Sequence, residues 1–189
     1  MFVKYIENFL TSEECNFIID LGKSLGLNKM TSSKFVNGVY TESGLNENTN
    51  KRMGCYFVDN TLELSEIKSI SDKTITILNE LKPFNGIKYN GIPKYSFNEY
   101  SKDDFLDWHS DSHEIMYGAS STIIFQLNDD YDGGDVIYMI DGIEYNVPKK
   151  QGSIFIFDSN ILHCVDKLNS GIRYSLNVWP SKEIKKSVI

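Results

Sequence analysis

The chain has 189 residues, a formal net charge of −7, 41% hydrophobic and 13% aromatic content. That length suits one domain with a sizeable core, the apolar content excludes a disordered chain, and no run approaches the roughly 18 apolar residues of a membrane span. A pI near 5.0 argues against a broad phosphate-binding surface and so against a nucleic-acid partner.

Met1-Phe2-Val3-Lys4 lacks the basic-then-apolar layout of a secretion signal. Thr11-Ser12-Glu13-Glu14 reads as a capping box that opens a helix, with Cys15, Ile18, Ile19, Gly22 and Leu25 at helical spacing behind it. Residues 30–51 are rich in Ser, Thr, Asn and Gly and read as a long loop with one short strand at most. A second helix is expected from about Thr61 to Leu81, with Ile67, Ile70, Ile77, Leu78 and Leu81 on one face. Residues 1–90 thus read as a helical lead-in, and 1–189 as one domain.

From Ile92 onward the period becomes two. Tyr95, Phe97 and Glu99 alternate with Ser96, Asn98 and Tyr100, and the run from Ser121 to Leu127 is rich in strand formers. Asp141-Gly142, between two apolar runs, signals a hairpin with a type I′ turn. Further strands are expected from Ser153 to Phe157 and from Ile172 to Trp179. Many short strands joined by turns point to a sandwich or barrel over residues 91–180. The three cysteines, Cys15, Cys55 and Cys164, are widely spaced without a CxxC pair, which fits reduced thiols in a cytoplasmic protein.

The three histidines, His109, His113 and His163, all lie in the second half. If the segment around His109 is extended, His109 and Asp111 leave the same face of a strand. An imidazole and a carboxylate so placed can share a divalent metal, and His163 is the one histidine distant in sequence that can complete the set. Two histidines and a carboxylate form the facial triad of non-heme Fe(II) oxygenases, whereas catalytic zinc favours other ligand sets. Taken singly, a His-x-Asp pair is common, His163 fits a half-buried histidine, and Arg173 fits a surface charge.

The order and setting of these residues resemble one family. Tyr100, His109-Ser110-Asp111, Leu127-Asn128, Gly133-Gly134, Val147-Pro148, Gly152 to Phe157, His163, Gly171-Ile172-Arg173 and Trp179 together resemble the prolyl 4-hydroxylase-type domain of the Fe(II)/2-oxoglutarate dioxygenases. Ile6 to Leu10 followed by Glu13-Glu14-Cys15 is similar to that family's lead-in.

The resemblance implies a mainly β fold, a cupin-like double-stranded β-helix (jelly roll) with N-terminal helices packed on one sheet. It implies Fe(II) held by His109, Asp111 and His163, and 2-oxoglutarate held at its distal carboxylate by Arg173, with Tyr100, Thr122 and Gln126 on the cosubstrate. Ile124, Val136, Val165 and Trp179 would line the pocket, and Arg52 would lie on the substrate side. Two positions depart from the family pattern: Ser120-Ser121 stand where an Arg is frequent, and Gln126 stands where some members carry Tyr. His113 has no family counterpart and reads as a rim residue, with ligation in place of His109 left open.

The implied reaction hydroxylates an unactivated C–H with O2, releasing succinate and CO2, with ascorbate as a supporting reductant. A prolyl residue of a peptide or protein is the first substrate expectation, and the 30–51 segment would close over it. The same chemistry on a free amino acid, a small metabolite or an alkylated nucleobase, and a non-catalytic metal-binding jelly roll, are the alternatives.

Overall fold

The computed structural model describes residues 1–30, 32–36, 39–43, 50–81, 88–92, 95–111 and 120–182. In chain order, β1 (Val3–Ile6) leads into α1 (Ser12–Ser24), followed by β2 (Asn28–Lys29), β3 (Ser32–Val36), β4 (Val39–Ser43), β5 (Asn50–Lys51) and β6 (Met53–Phe57). A 3-10 turn at Asp59–Thr61 precedes α2 (Ser65–Leu81). Then come β7 (Tyr89–Gly91), β8 (Tyr95–Tyr100), β9 (Phe105–His109), β10 (Ser121–Gln126), β11 (Asp132–Gly133), β12 (Val136–Ile140) and β13 (Ile143–Asn146). The chain closes through β14 (Ile154–Asp158), β15 (His163–Val165), β16 (Leu168–Ser170), β17 (Arg173–Val178) and β18 (Ser181–Lys182).

Local chemistry sets the helix ends. The Thr11 hydroxyl accepts from the Glu14 amide at 3.2 Å while Glu14 Oε2 accepts from the Thr11 amide at 2.9 Å, so the capping box closes in both directions. α1 buries Cys15, Ile18, Ile19 and Gly22. Gly22 is needed for contact, because a Cβ there would lie 2.5 Å from the Phe97 ring. Leu25, expected on the same face, is instead the C-cap and is 43% exposed. α2 begins four residues later than Thr61, since Thr61 closes the preceding turn by donating its hydroxyl to the Val58 carbonyl at 2.6 Å. Its buried face is Ile67, Ile70, Thr74 and Leu78, while Ile77 and Leu81 are only partly covered.

Two antiparallel sheets face one another. The larger runs β1-β14-β10-β17-β8-β6-β2 and the smaller β13-β12-β15-β9-β5. The fold is the expected mainly β jelly roll, with both helices packed on the outer face of the larger sheet. Strand parity divides the interior in two. Ile123 and Phe125 of β10, with Leu176 and Val178 of β17, pack under Ile18, Ile67 and Ile70 of the helices. Ile124 of β10 points the other way, into a second cluster between the sheets with Tyr100, Leu106, Val136, Phe155, Phe157, Ile161, Val165 and Leu168. β10 is buried on both faces, which is why apolar Ile123, Ile124 and Phe125 follow one another without alternation.

The hairpin β12–β13 turns at Asp141-Gly142, with φ of 51° and 77°, the paired positive angles of a type I′ turn. Two expectations need correction. The 30–51 segment is not a loop with one short strand: β3 and β4 pair as a hairpin, Ser32 to Ser43 and Val36 to Val39 at its ends, and β5 joins β9 at the edge of the smaller sheet. Backbone pairing needs no apolar side chains, so polar composition hid it. Residues 1–90 likewise supply strands to both sheets and are more than a helical cover. No helix among the described residues is long and apolar enough to cross a membrane.

Candidate metal centre

β9 and β15 bring the histidines together. They pair antiparallel with His163 opposite His109 and Val165 opposite Leu106, so the register slips between the two pairs. Asp107 and Trp108 occupy the irregular stretch and face outward, leaving Leu106 and His109 directed inward. The ring centroids of His109 and His163 are 4.1 Å apart. Asp111 follows two residues after His109, beyond the strand end, and is buried.

The three side chains point their ligand atoms at one another. Asp111 Oδ1 is 3.7 Å from His109 Nε2 and Oδ2 is 3.6 Å from His163 Nε2. One ligand atom from each residue lies within 4.8 Å of the other two. These separations are too long for hydrogen bonds and suit three atoms reaching a shared ion. Each imidazole turns Nδ1 to a carbonyl two residues earlier, His109 to Asp107 O at 2.8 Å and His163 to Ile161 O at 3.0 Å. A carbonyl can only accept, so Nδ1 holds the proton and Nε2 keeps its lone pair for a metal.

Electrostatics agree with the geometry. Burial, helped by the neighbouring His163 and more weakly by Arg52, pushes His109 down to about 3 against the opposing pull of Asp111. The imidazole is neutral at neutral pH, the form that ligates. Burial alone would raise Asp111, but His163, His109, Thr122 and Trp179 outweigh it and hold the carboxyl below its usual value. A neutral His109 imidazole and an ionised Asp111 carboxylate suit a divalent metal such as iron.

Beyond the triad lies a buried cation. Arg173 is 1% exposed. Its Nη1 donates to Ser175 Oγ at 3.3 Å, its Cζ stands 5.0 Å over the Tyr100 ring, and its Nε has no partner among the described residues. Tyr100 pairs with Arg173 across β8 and β17. Asn128 anchors the start of β17, accepting from the Tyr174 amide at 2.7 Å and donating to Ile172 O at 2.7 Å. Gly134, at φ 61°, makes room: a Cβ there would lie 3.3 Å from Arg173 Cδ and 2.8 Å from Leu168. A buried guanidinium with no carboxylate partner among the described residues is costly, and a carboxylate ligand would supply the missing anion.

The remaining sequence-derived residues fall in three groups. Ile124, Val136 and Val165 belong to the cluster between the sheets, with Tyr100. Trp179 sits beside the Asp111 carboxylate. Thr122 donates to Asp111 Oδ2 at 2.8 Å, and Gln126 Nε2 donates to Asn128 O at 2.7 Å and to the Tyr131 hydroxyl. Arg52 donates from Nε to Asn98 Oδ1 at 3.0 Å. His113 lies outside the described residues. The sequence reading missed Asn128 as the anchor of β17 and Ser159, whose hydroxyl lies 3.0 Å from Thr122.

Residues 95–181 match the family model of the 2OG-Fe(II) oxygenase superfamily. A PKHD-type hydroxylase of Prochlorococcus marinus is 27% identical over 138 residues, which cover 69% of this chain and 62% of that protein. A Pseudomonas putida prolyl-4-hydroxylase superposes with a TM-score of 0.69 at 17% identity, covering 96% of this chain and 93% of the other. A Trichoplax adhaerens prolyl hydroxylase, solved with a hypoxia inducible factor peptide fragment, gives 0.70 at 16% identity, covering 95% and 83%. The chain thus shares the fold of these prolyl hydroxylases, its second half matches the 2OG-Fe(II) oxygenase model, and its buried His-Asp-His cluster has the donor set of an Fe(II) site.

Proposed function

We propose that the chain is a single dioxygenase domain that hydroxylates a prolyl residue of a peptide or protein in the cytoplasm, with ascorbate as supporting reductant. His109, Asp111 and His163 hold Fe(II), and Arg173 grips the distal carboxylate of 2-oxoglutarate with Tyr100 beside it. Fe(II) with 2-oxoglutarate and O2 supplies oxidative decarboxylation to succinate and CO2 coupled to insertion of one oxygen atom into a C–H bond.

The observation that carries this reading is Arg173, a fully buried guanidinium with an unfilled donor and no carboxylate partner among the described residues. Its planar fork meets a carboxylate through two parallel hydrogen bonds. Gln126, engaged with Asn128 and Tyr131, closes the cosubstrate end. Ile124, Val136, Val165 and Trp179 exclude water around the reacting atoms. Arg52, held by Asn98 and near enough to influence His109, stands on the substrate side. The peptide bound to the Trichoplax relative supports a peptide substrate, and residues 30–51 are the segment that would close over it.

The test is a peptide screen with Fe(II), 2-oxoglutarate and ascorbate, read by mass spectrometry for a gain of one oxygen. Proline-containing peptides should gain it with stoichiometric succinate. Gain on lysyl or asparaginyl peptides alone, or on free amino acids alone, overturns the prolyl assignment. Absence of the weak visible band of the Fe(II)–2-oxoglutarate chelate under anaerobic conditions overturns the enzyme reading.

A further inference from the structure

Thr122 sits in the middle of a buried chain of three polar side chains. Its hydroxyl donates to Asp111 Oδ2 at 2.8 Å, and the Ser159 hydroxyl lies 3.0 Å from the same Thr122 oxygen. Thr122 and Ser159 are fully buried and Asp111 nearly so. A threonine hydroxyl has one proton, and an ionised carboxylate can only accept. Thr122 therefore spends its proton on Asp111, and Ser159 donates to Thr122. The direction of the whole chain is fixed, Ser159 to Thr122 to Asp111.

This arrangement treats the two carboxylate oxygens differently. Oδ2, 3.6 Å from His163 Nε2, receives the Thr122 hydrogen bond, while Oδ1, 3.7 Å from His109 Nε2, receives no hydroxyl among the described residues; Trp179 also lies beside the carboxyl. We propose that Thr122 is a positioning residue that makes Asp111 a one-oxygen ligand, and that Ser159 holds Thr122 in that role. The inference rests on the metal-centre reading above and assigns the part of the site that sets how many positions stay open. A six-coordinate iron with three protein ligands keeps three places, two for 2-oxoglutarate and one for O2. A carboxylate gripping through both oxygens would take one of these. Threonine suits the task because its β-branched side chain is stiff about χ1, and Thr122 is held in register with Phe157 of β14.

The experiment compares wild type with Thr122→Val, Thr122→Ser, Ser159→Ala and His163→Ala. Metal-free proteins are titrated anaerobically with Fe(II), and the saturated proteins with 2-oxoglutarate, read by the chelate band. Circular dichroism checks the fold. Loss of a hydrogen-bonded partner behind a metal ligand typically weakens metal affinity or activity about 10–100-fold. Thr122→Val should need at least about tenfold more 2-oxoglutarate, Fe(II) or both. Ser159→Ala should shift the same way by less, and Thr122→Ser should recover most of the loss. Wild-type titrations from Thr122→Val overturn the proposal, as does Thr122→Ser failing as badly as Thr122→Val, which would make the methyl group the operative part. If Thr122→Val does not fold, Ser159→Ala decides: unchanged titrations overturn the proposal. His163→Ala should bind no iron; retention there removes the metal-centre reading itself, a different failure.

Discussion

His163 and His109 stand opposite one another across β15 and β9, in register and with ring centroids 4.1 Å apart. Two ligands are thus fixed by one backbone pairing, and Asp111, two residues further along, closes the set from the strand end. Removing the carboxylate takes away the one acidic ligand of the three and leaves only two imidazoles. Asp111→Ala should abolish 2-oxoglutarate turnover and iron binding while the fold survives, since the site lies at one end of a packed sandwich. Retention of more than a few per cent of wild-type turnover, measured as succinate release, would remove Asp111 from the triad.

Arg173 makes a quantitative prediction. Removing one member of a buried, hydrogen-bonded charge pair costs roughly 2–5 kcal/mol, and each 1.4 kcal/mol or so is a decade in affinity. Arg173→Ala should weaken 2-oxoglutarate binding by about 30-fold or more, with Fe(II) affinity nearly unchanged. Arg173→Lys should recover part of the loss, because it restores the charge but not the fork. An Arg173→Ala protein that titrates like wild type would end the cosubstrate assignment.

His109 makes the metal-free protein sensitive to acid. Its folded value lies far below the ordinary imidazole value of 6.5, so the unfolded chain takes up the proton first as the pH falls. Stability is whole above about 6.5 and is lost progressively as the pH drops toward 3. Asp111, also held below its ordinary value, contributes stability that is lost only below about 3.8, so the upper part of the window belongs to the histidine. Thermal unfolding of the metal-free protein between pH 7 and pH 4.5 should show a falling midpoint, and His109→Gln should flatten it. An equal slope in the variant would assign the effect elsewhere.

Gly22 sets two small effects against each other. Alanine in place of a helical glycine gains about 1 kcal/mol of propensity, but its Cβ would stand 2.5 Å from the Phe97 ring. Overpacking of this kind typically costs about 1–3 kcal/mol. The ring is stacked between Phe57 and Tyr174, so it has little room to yield and the cost should win. Gly22→Ala should therefore lower the melting temperature by a few degrees, at roughly 2–4 °C per kcal/mol for a chain of this size. A rise would show that α1 can slide away from β8.

What could be read in the sequence was set by local rules. The capping box at Thr11, the turn at Asp141-Gly142 and the spacing of Tyr95 to Tyr100 each depend on neighbours in the chain, and each stands where local chemistry puts it. The triad residues could be chosen because their types are scarce, His163 above all. The hidden parts depend on partners far away in sequence. The hydroxyl of Thr122 reaches Asp111, eleven positions back, a contact that no local pattern announces. Ser159 carries no motif of its own, and Leu127-Asn128, though part of the family pattern, gives no hint that Asn128 anchors β17; only tertiary structure places the two side chains. The β3–β4 hairpin was masked by a polar composition that ordinarily marks loops.

The Nδ1 contacts of His109 and His163 have a wider consequence. Each ring takes its tautomer from a carbonyl two residues earlier in its own strand segment, so each half of the pair is prepared by its own stretch of backbone. Pairing β9 with β15 then only has to bring two finished halves face to face. The lone pairs that would face a metal are thus aimed by hydrogen bonds to the backbone as well as by any bond to the ion itself.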